Sequence, residues 1–321
     1  MPATLELTRL DEAFRDDVLA GLGAATPAIP ARWLYDQRGS ELFDQITGLP
    51  EYYPTRTETA LLHAIMPPVA AAVGPGTAVV EFGAGSLTKT PILLEAIAPS
   101  VYVPIDISGD FLRDAAAALA QRMPDLPIHP LEGNFSEDLD LSAVAGNGPR
   151  LGFFPGGTIG NFVPFSATDL LRHFRATLGV GAKLLIGFDR VKSPDRLVAA
   201  YDDAQGVTAA FNLNLLDRIN RELDGDIPVD AFRHEARWND RLSRIEMHLI
   251  ATRDLAFHVA GHRFAFASGA GIHTENSHKY DVRSARLLLL GGGWTPTAEW
   301  TDPAEDFALI LAEAQPERWA P

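Results

Sequence analysis

A glycine-rich loop followed by an acid is the first feature of the sequence that could do chemistry. Residues 81–86 (EFGAGS) end a short apolar run and precede a helical pattern. Glycines there let the backbone approach a ligand closely, and the start of a helix offers free amide donors. A loop this short could also be a simple strand-to-helix turn. Asp106 lies 25 residues after Glu81 and favours a ligand, because a carboxylate at that place can accept hydrogen bonds from both hydroxyls of a ribose.

The residue type at position 88 distinguishes between two candidate ligands, each of which contains a nucleoside. A dinucleotide-binding loop needs a third glycine where the pyrophosphate lies, but this chain has Thr88. S-adenosylmethionine (SAM) carries no phosphate, offers a ribose to Asp106, and has an ammonium group that a nearby acid can receive. SAM therefore ranks above a nicotinamide dinucleotide, and we predict Glu81, Gly83 and Gly85 among the residues that bind it.

Alternating apolar runs and helical patterns must position this loop. The predicted strands cover residues 77–82, 101–106, 126–132, 150–154 and 183–189, and the predicted helices cover residues 89–98, 111–122 and 169–178. Pro127 and Pro130 make the third strand the weakest. Strands and helices in regular succession predict an α/β fold with a doubly wound, mostly parallel sheet, whose ligands bind beyond the carboxyl ends of the strands. The loop, the acid and this Rossmann-like sheet together are typical of a SAM-dependent methyltransferase.

Two segments do not fit the alternation and predict a second domain. Residues 8–59 combine a helical opening with a tyrosine-rich stretch, and residues 195–278 combine helical patterns with alternating runs typical of antiparallel strands. We predict that these segments form one inserted α+β domain. Residues 60–194 and 279–321 then form the SAM-binding domain, and two strand-like runs within residues 295–312 form a hairpin that closes one edge of its sheet.

Composition limits the expected partners. The 321 residues include 42 Asp or Glu and 27 Lys or Arg, for a net charge of −15, and no cysteine. Without thiolates, disulfides, iron–sulfur clusters and thiolate zinc sites are impossible. The negative charge disfavours nucleic acid and leaves a small molecule as the expected partner. The N-terminus lacks a signal-peptide pattern and no apolar run is long enough to span a membrane, so we predict a cytoplasmic protein. A chain of 321 residues is longer than one core usually fills, so we expect two domains. We expect the protein to be a monomer.

Motifs along almost the whole chain resemble those of one enzyme family. The longer ones are YDxxGSxLFDQI from Tyr35, LPEYYPTRTE from Leu49, GGTIGN from Gly156 and AYDDAxGVTAAFN from Ala200. Shorter ones are Ile245-Glu246-Met247, Glu275-x-Ser277 and Trp300-Thr301-Asp302-Pro303. In this order they resemble the histidine-specific SAM-dependent methyltransferases, which make hercynine, the trimethylhistidine of ergothioneine biosynthesis. The resemblance implies a class I methyltransferase fold, with L-histidine bound by the inserted domain and SAM as the methyl donor.

The family pattern also implies which residues contact SAM. These are Gly83, Lys89 and Asp106, together with Asn134 and Phe135. The family usually has Asp where this chain has Asn134, beside the amino group of the adenine. The side-chain oxygen of Asn can still accept that hydrogen bond, so we expect weaker binding of SAM rather than loss of it.

The same resemblance implies how the substrate amine is held. Methyl transfer needs a neutral nitrogen whose lone pair is aimed at the sulfonium methyl group. Tyr35 and Tyr52 are the implied orienting residues, and their rings, with Phe43, line the cavity where positive charge grows. Tyr53 is expected to be structural. Each methylated amine that keeps a lone pair can be turned back towards fresh SAM, which suggests why the reaction continues to a trimethyl product.

The substrate carboxylate is assigned by resemblance alone. The implied contacts are Asn161 and Tyr201, with the backbone of Gly156 nearby. Without the family pattern, Asn161 would be interpreted as a turn residue and Tyr201 as half-buried packing on a helix.

A carboxylate and a hydroxyl are positioned to recognise the side chain of the substrate. Glu275 and Ser277 are two residues apart, so in an extended segment their side chains face the same way. A carboxylate can accept the imidazole N–H while the hydroxyl serves the other ring nitrogen, which favours histidine. Met247 is the matching apolar wall.

Three competing functions stay open. The substrate could be tryptophan or a thiol-substituted histidine, although an indole with one N–H would leave a buried polar group unpaired. The acceptor could be an amide or an adenine amino group, although the chain lacks an Asn-Pro-Pro-aromatic run. The protein could also be a SAM-binding subunit without catalytic activity.

The histidines indicate no metal site. His258 and His262 are four residues apart, but the residues between them lack the glutamate of a zinc-protease helix. We therefore predict that no metal ion is bound. His273 and His278 flank Glu275, and we expect each imidazole to face solvent.

Overall fold

The computed structural model describes residues 3–137, 139, 141–146 and 148–316. The chain divides into two compact units. The insertion unit comprises Met1–Tyr52 and Ser193–Asn276, and the sheet unit comprises Tyr53–Lys192 and Ser277–Pro321. The predicted divisions after residues 59, 194 and 278 lie seven, two and two residues beyond these bounds. Residues 138, 140, 147 and 317–321 of the predicted SAM-binding domain lie outside the described part of the chain.

The elements are numbered along the chain. The helices are α1 (Ala3–Gly23), α2 (Gln37–Thr47), α3 (Tyr53–Val73), α4 (Thr90–Ile97), α5 (Gly109–Arg122), α6 (Ser142–Ala145), α7 (Pro164–Leu178), α8 (Pro194–Tyr201), α9 (Val207–Glu222) and α10 (Val282–Gly291). The strands are β1 (Ala78–Phe82), β2 (Val101–Asp106), β3 (Leu131–Glu132), β4 (Arg150–Phe154), β5 (Lys183–Asp189), β6 (Phe232–Asn239), β7 (Arg244–Ala251), β8 (Leu255–Val259), β9 (His262–Phe266), β10 (Gly271–His278), β11 (Trp294–Thr301) and β12 (Phe307–Ala314).

The sheet unit is built on a seven-stranded sheet in the order β11-β12-β5-β4-β1-β2-β3. The strands from β5 to β3 are parallel neighbours, whereas β12 runs antiparallel to both β5 and β11. This order confirms the predicted doubly wound, mostly parallel sheet and the C-terminal hairpin at its edge. Because the strand order reverses between β4 and β1, their carboxyl ends are the expected ligand-binding edge.

The third strand is much shorter than predicted. Only Leu131–Glu132 pairs with β2 as a strand, although Ile128 makes an isolated bridge to Tyr102. Pro127 and Pro130 have no backbone N–H to donate, so the segment before Leu131 cannot continue a ladder.

Apolar cores cover both faces of this sheet because alternate strand residues point to opposite sides. On β1, Val80 and Phe82 belong to one core, whereas Val79 belongs to the other. On β4, Phe154 and Phe153 are divided in the same way. The strands are therefore fixed in register from both sides, which holds their carboxyl ends as a rigid edge.

The insertion unit has an α+β architecture, as the sequence predicts. It contains a three-stranded sheet in the order β10-β7-β6 and a separate antiparallel pair, β8 with β9. β6 and β7 are antiparallel and place Met247 opposite Ala236 on a buried face. Helix α2 packs on α9. β10 begins in this unit and passes into the sheet unit after Asn276.

Within the described residues, no helix combines the length and the apolar character that crossing a membrane requires.

Candidate active site

The glycine loop and Asp106 form one hydrogen-bonded structure in the sheet unit. Gly83 and Gly85 have φ values of 71° and 55°, which favour glycine. The amide of Gly85 donates to Oδ2 of Asp106 at 2.9 Å, and the amide of Ser108 donates to Oδ1 at 2.9 Å. Burial raises the pKa of Asp106, and these amide donors counteract that effect. Each carboxylate oxygen keeps a further lone pair, so Asp106 can still accept two hydroxyls.

Phe135 lies against the same loop. A Cβ atom on Gly83 would be 3.3 Å from Cε1 of Phe135, so this position could hold a side chain only if the ring moved. The ring of Phe135 packs edge to face against Phe154 and Phe174. Two predicted cofactor residues, Gly83 and Phe135, are thus in contact, and together they present an apolar surface beside the loop.

The carboxyl group of Glu81 is buried beneath the loop. Thr90 donates to its Oε2 at 2.8 Å, and the phenol of Tyr102 donates to the same oxygen. Burial raises the pKa of Glu81 to about 7, although these two donors act in the opposite direction. Glu81 therefore joins β1 to β2 and to the start of α4, a structural role that the sequence did not indicate.

Asn134 is held by its own neighbours. Its Oδ1 accepts the amide of Ser136 at 3.0 Å, and its Nδ2 donates to Oε1 of Glu137 at 2.9 Å. The amide contact with Glu137 is one that an Asp at position 134 could not make. The Oδ1 atom keeps a lone pair for a ligand donor, as the sequence interpretation requires.

Glu58 brings together a predicted cofactor residue and a predicted substrate residue. Its side chain is fully buried and pairs with the ammonium of Lys89. The amide of Gly156 donates to both oxygens of Glu58 at 2.9 Å. Glu58 is the last residue of the family motif that begins at Leu49, but the resemblance implies no role for it. Nothing in the sequence marks Glu58 as buried, so its role becomes visible only in the structure, where a buried carboxylate needs partners.

The segment that carries Asn161 contacts the segment that carries Ser277. A Cβ atom on Gly160 would be 2.6 Å from the carbonyl oxygen of His278, so only glycine permits this approach. Nδ1 of His278 and the carbonyl oxygen of Gly160 are 2.9 Å apart. His278 is buried, so the expectation of a solvent-facing imidazole was wrong. The ring is instead used to hold the two segments together.

Four predicted substrate-site aromatics converge within the insertion unit. The ring centroids are 5.6 Å apart for Tyr35 and Phe43, 6.1 Å for Phe43 and Tyr52, and 6.0 Å for Tyr52 and Tyr201. Phe211 completes this aromatic cluster at 5.4 Å from Tyr35 and 6.0 Å from Phe43. Phe211 is not among the predicted site residues, although it is the second-last residue of the motif that begins at Ala200.

The cluster is supported by a polar bond between α2 and α9. Asp36 caps α2 by accepting the amide of Gly39 at 2.7 Å. The same carboxylate accepts Nδ2 of Asn214 at 2.8 Å and a guanidinium hydrogen of Arg221 at 2.6 Å. A Cβ atom on Gly39 would be 1.8 Å from the carbonyl oxygen of Leu34, so glycine is required. These contacts fix the orientation of the residues on either side of Asp36.

A buried histidine holds the backbone of Tyr201. Nε2 of His234 is 2.8 Å from the carbonyl oxygen of Tyr201, and Nδ1 is 2.9 Å from Nδ2 of Asn212. Burial lowers the pKa of His234, which favours a neutral ring. A neutral ring can donate from Nε2 and accept at Nδ1, and both contacts are then satisfied.

Met247 and Glu275 lie on neighbouring strands and are both buried. The hydroxyl of Thr274 donates to the carbonyl oxygen of Met247 at 3.1 Å. His273 is half-buried and lies 2.9 Å from the carbonyl oxygen of Glu275 through Nε2. The expectation that His273 faces solvent was therefore wrong, because its ring is used in a backbone contact.

One acid and two histidines lie close enough together to be considered as metal ligands. Within the described residues, donor atoms of Glu246, His248 and His273 lie within 4.8 Å of one another. The imidazole rings are stacked at 26°, so their in-plane lone pairs do not converge, and Arg244 already pairs with Glu246 at 2.6 Å. His258 lies on β8, in the two-stranded sheet, and its Nδ1 is 3.3 Å from Oδ2 of Asp226. We assign no metal ion to these residues.

Comparison with known proteins shows the family to which the chain is similar. A family described as "Histidine-specific methyltransferase, SAM-dependent" matches residues 14–314. The chain is 44% identical over 307 residues to a histidine N-alpha-methyltransferase of Mycolicibacterium smegmatis, covering 94% of this chain and 95% of that protein. It is 41% identical over 306 residues to one of Mycobacterium tuberculosis, covering 94% of each. It is 30% identical over 299 residues to ergothioneine biosynthesis protein 1 of Neurospora crassa, covering 89% of this chain and 33% of that protein.

Proposed function

The chain belongs to the family of SAM-dependent, histidine-specific methyltransferases, and on that premise we propose that it transfers methyl groups from SAM to the α-amino nitrogen of L-histidine until hercynine is formed. Membership of this family makes the protein an enzyme that uses SAM as the methyl donor and a free amino acid as the acceptor. The nitrogen that is methylated, the number of methyl groups and the roles of individual residues are the content of the proposal. We further propose that this reaction is a step of ergothioneine biosynthesis.

The residues of the sheet unit fit SAM. A Cβ atom on Gly85 would meet no atom within 4 Å, so the loop borders open space. Asp106 has one lone pair on each oxygen left for ribose hydroxyls, and Phe135 offers an apolar surface beside the loop. Among the remaining assigned contacts, Glu81, Lys89 and Asn134 each have a fixed position set by an internal bond. SAM supplies an electrophilic methyl group on a sulfonium.

The aromatic cluster suits the chemistry of the amine. The α-amine must lose its proton before it can attack, so the protein has to favour the neutral amine and aim its lone pair. We assign this orientation to the phenols of Tyr35 and Tyr52. The rings of Phe43 and Phe211 add negative π faces, which stabilise the positive charge that grows on nitrogen. The single observation that carries this assignment is the convergence of residues 35, 43, 52 and 201 in one cluster.

Histidine is recognised at both of its ends in this proposal. Asn161 and Tyr201 are assigned to the carboxylate, with the backbone of Gly156 nearby. Glu275 is assigned to the imidazole N–H and Ser277 to the other ring nitrogen. Met247 supplies the apolar wall beside the ring.

The setting of the enzyme is proposed from its composition. A net charge of −15 supports a small-molecule substrate rather than nucleic acid. We propose a cytoplasmic enzyme that acts as a monomer without a membrane partner.

A mixture experiment tests the proposal. Purified protein is incubated with SAM and all common amino acids, and the products are identified by mass spectrometry. Histidine alone is expected to gain one, two and three methyl groups, with the trimethylated species accumulating. Methylation of tryptophan, or of a thiol-substituted histidine added separately in preference to histidine, would establish a different amino acid substrate. Binding of SAM without any methylated amino acid would establish the non-catalytic alternative.

A further inference from the structure

Lys279 connects the end of β5 to Ser277. The residue is 3% exposed, and its ammonium donates to Oδ2 of Asp189 at 2.7 Å and to Oγ of Ser277 at 2.8 Å. Asp189 is the last residue of β5 and is itself buried. Neither Lys279 nor Asp189 appears among the residues that the sequence or the family resemblance assigned to the site.

An ammonium group determines the direction of its hydrogen bonds. It carries three donors and no acceptor, so Ser277 must be the acceptor in its bond with Lys279. The hydroxyl hydrogen of Ser277 is then directed away from Lys279, and Ser277 acts as a donor in any bond that uses that hydrogen. A nitrogen that accepts this hydrogen must have a lone pair.

We propose that Lys279 is a positioning residue that makes Ser277 the hydrogen-bond donor to the substrate, so that the enzyme selects the neutral form of the histidine imidazole. The inference rests on the proposed function. A neutral imidazole has one N–H for Glu275 and one lone pair for Ser277. An imidazolium has no lone pair and would also bring a second positive charge towards the ammonium of Lys279.

Lys192 shows that charge balance alone does not require Lys279. Lys192 also pairs with Asp189, at 2.5 Å, and it donates to the phenol of Tyr53 at 2.6 Å. Burial opposes ionisation of Asp189, but Lys279 and Lys192 outweigh it and lower its pKa. The two lysines both pair with Asp189, and Lys279 also donates to Ser277.

Matched variants of the two lysines separate positioning from charge. Lys279→Met and Lys192→Met remove the same charge from the same carboxylate. We expect Lys279→Met to raise the KM for histidine about tenfold, as expected for one lost orienting hydrogen bond, with the KM for SAM nearly unchanged. Lys192→Met should leave the KM for histidine near the wild-type value. Equal effects of the two variants on this KM would overturn the proposal.

A double-mutant cycle tests whether Lys279 acts through Ser277. If it does, Lys279→Met should add little to the effect of Ser277→Ala on histidine binding, so the two changes are not additive. Lys279→Arg, which keeps a donor-only cation, should recover part of the affinity. Fully additive effects of Lys279→Met and Ser277→Ala would contradict the proposal.

The wild-type protein provides a test that needs no variant. Histidine labelled with ¹⁵N in the ring is bound to the protein at pH 6, where the free imidazole is largely protonated. The proposal predicts ¹⁵N chemical shifts of a neutral ring with one unprotonated nitrogen. Shifts of an imidazolium in the complex would overturn it. Neither result bears on whether histidine is methylated, so failure of this inference and failure of the proposed function are distinguishable.

Discussion

The glycine loop of the sheet unit and the aromatic cluster of the insertion unit are assembled in different ways. The loop follows β1, Asp106 ends the neighbouring strand β2, and the two are joined by a directional bond of 2.9 Å from the amide of Gly85 to the carboxylate, which also accepts the amide of Ser108 at 2.9 Å. The cluster collects residues 35, 43, 52, 201 and 211 from separate segments, and the centroids of its contacting rings are 5.4 to 6.1 Å apart in edge-to-face or tilted arrangements.

This difference separates the two kinds of work that the enzyme must do. Directional bonds fix a loop in one geometry, which suits a ligand that is the same in every turnover. Aromatic rings provide a surface that tolerates small shifts of a growing substituent, which the three successive methyl additions of the proposed reaction would require. Variants of the loop region should therefore change the binding of SAM, whereas variants near the cluster should change the turnover of the amino acid.

Glu275→Ala is the change with the largest expected effect. It removes the proposed acceptor of the imidazole N–H and leaves that donor unpaired in a buried site, so turnover of histidine should fall on the order of a thousandfold. The binding constant for SAM should stay near that of the wild type. Glu235→Ala, a change of the same residue type on β6, is the matched control and should be nearly neutral. Wild-type turnover in Glu275→Ala would show that this acid does not select histidine.

Glu81→Gln should change how stability depends on pH. The folded-state pKa of Glu81 is about 7 against an ordinary 4.5, so the folded protein holds this proton more tightly. The resulting contribution is fully present below about pH 4.5 and is lost as the pH rises to about 7. Its size is about 3 kcal/mol.

Unfolding free energies of wild type and Glu81→Gln at pH 5 and pH 8 provide the measurement. The wild type should lose more stability than the variant between these two values, because Gln cannot titrate. Parallel pH profiles for the two proteins would place the proton elsewhere.

Tyr52 and Tyr53 are adjacent in the sequence but belong to different units, so equivalent substitutions at the two positions can be compared. Tyr52 belongs to the aromatic cluster, whereas the phenol of Tyr53 donates to Asp189 at 2.8 Å. Tyr52→Phe removes the proposed orienting hydroxyl and should lower kcat roughly tenfold to a hundredfold. Tyr53→Phe should instead reduce the free energy of unfolding by about 1 to 2 kcal/mol, because Asp189 loses a buried donor. If Tyr53→Phe lowered kcat more than Tyr52→Phe, the assignment of these two residues would have to be exchanged.

Asn134→Asp is expected to have the smallest effect. A carboxylate is a stronger acceptor for the adenine amino group, so affinity for SAM should rise a few-fold. The gain is limited because Asp would lose the bond to Glu137 and place two carboxylates together. Asn134→Asp with Glu137→Gln removes that repulsion and should bind SAM more tightly than Asn134→Asp alone. Unchanged SAM affinity in both variants would remove position 134 from the cofactor site.

The sheet could be predicted from the sequence because its strands are continuous apolar runs. Residues 101–106 and 183–189 are strands with the predicted bounds, since both of their faces are buried. The segment 126–132 was predicted as one strand, and only its last two residues pair in a ladder, because prolines remove the donors that pairing needs.

The site could be predicted only in part. The family pattern implies roles for Tyr35 and Tyr52, but it does not reveal Glu58 or Lys279, whose buried side chains pair with groups distant in sequence. His278 looked solvent-facing for the same reason, because nothing near it in the chain indicates its contact with Gly160. Charge pairing across a fold leaves no periodic signal in a sequence.

The most direct measurement follows the methyl group itself. SAM carrying a ¹³C-labelled methyl is mixed with the enzyme and L-histidine, and the product is observed by NMR. We expect three equivalent labelled methyl groups on the α-nitrogen and none on the imidazole. Label on a ring nitrogen, or no transfer to histidine while SAM is bound, would contradict this expectation.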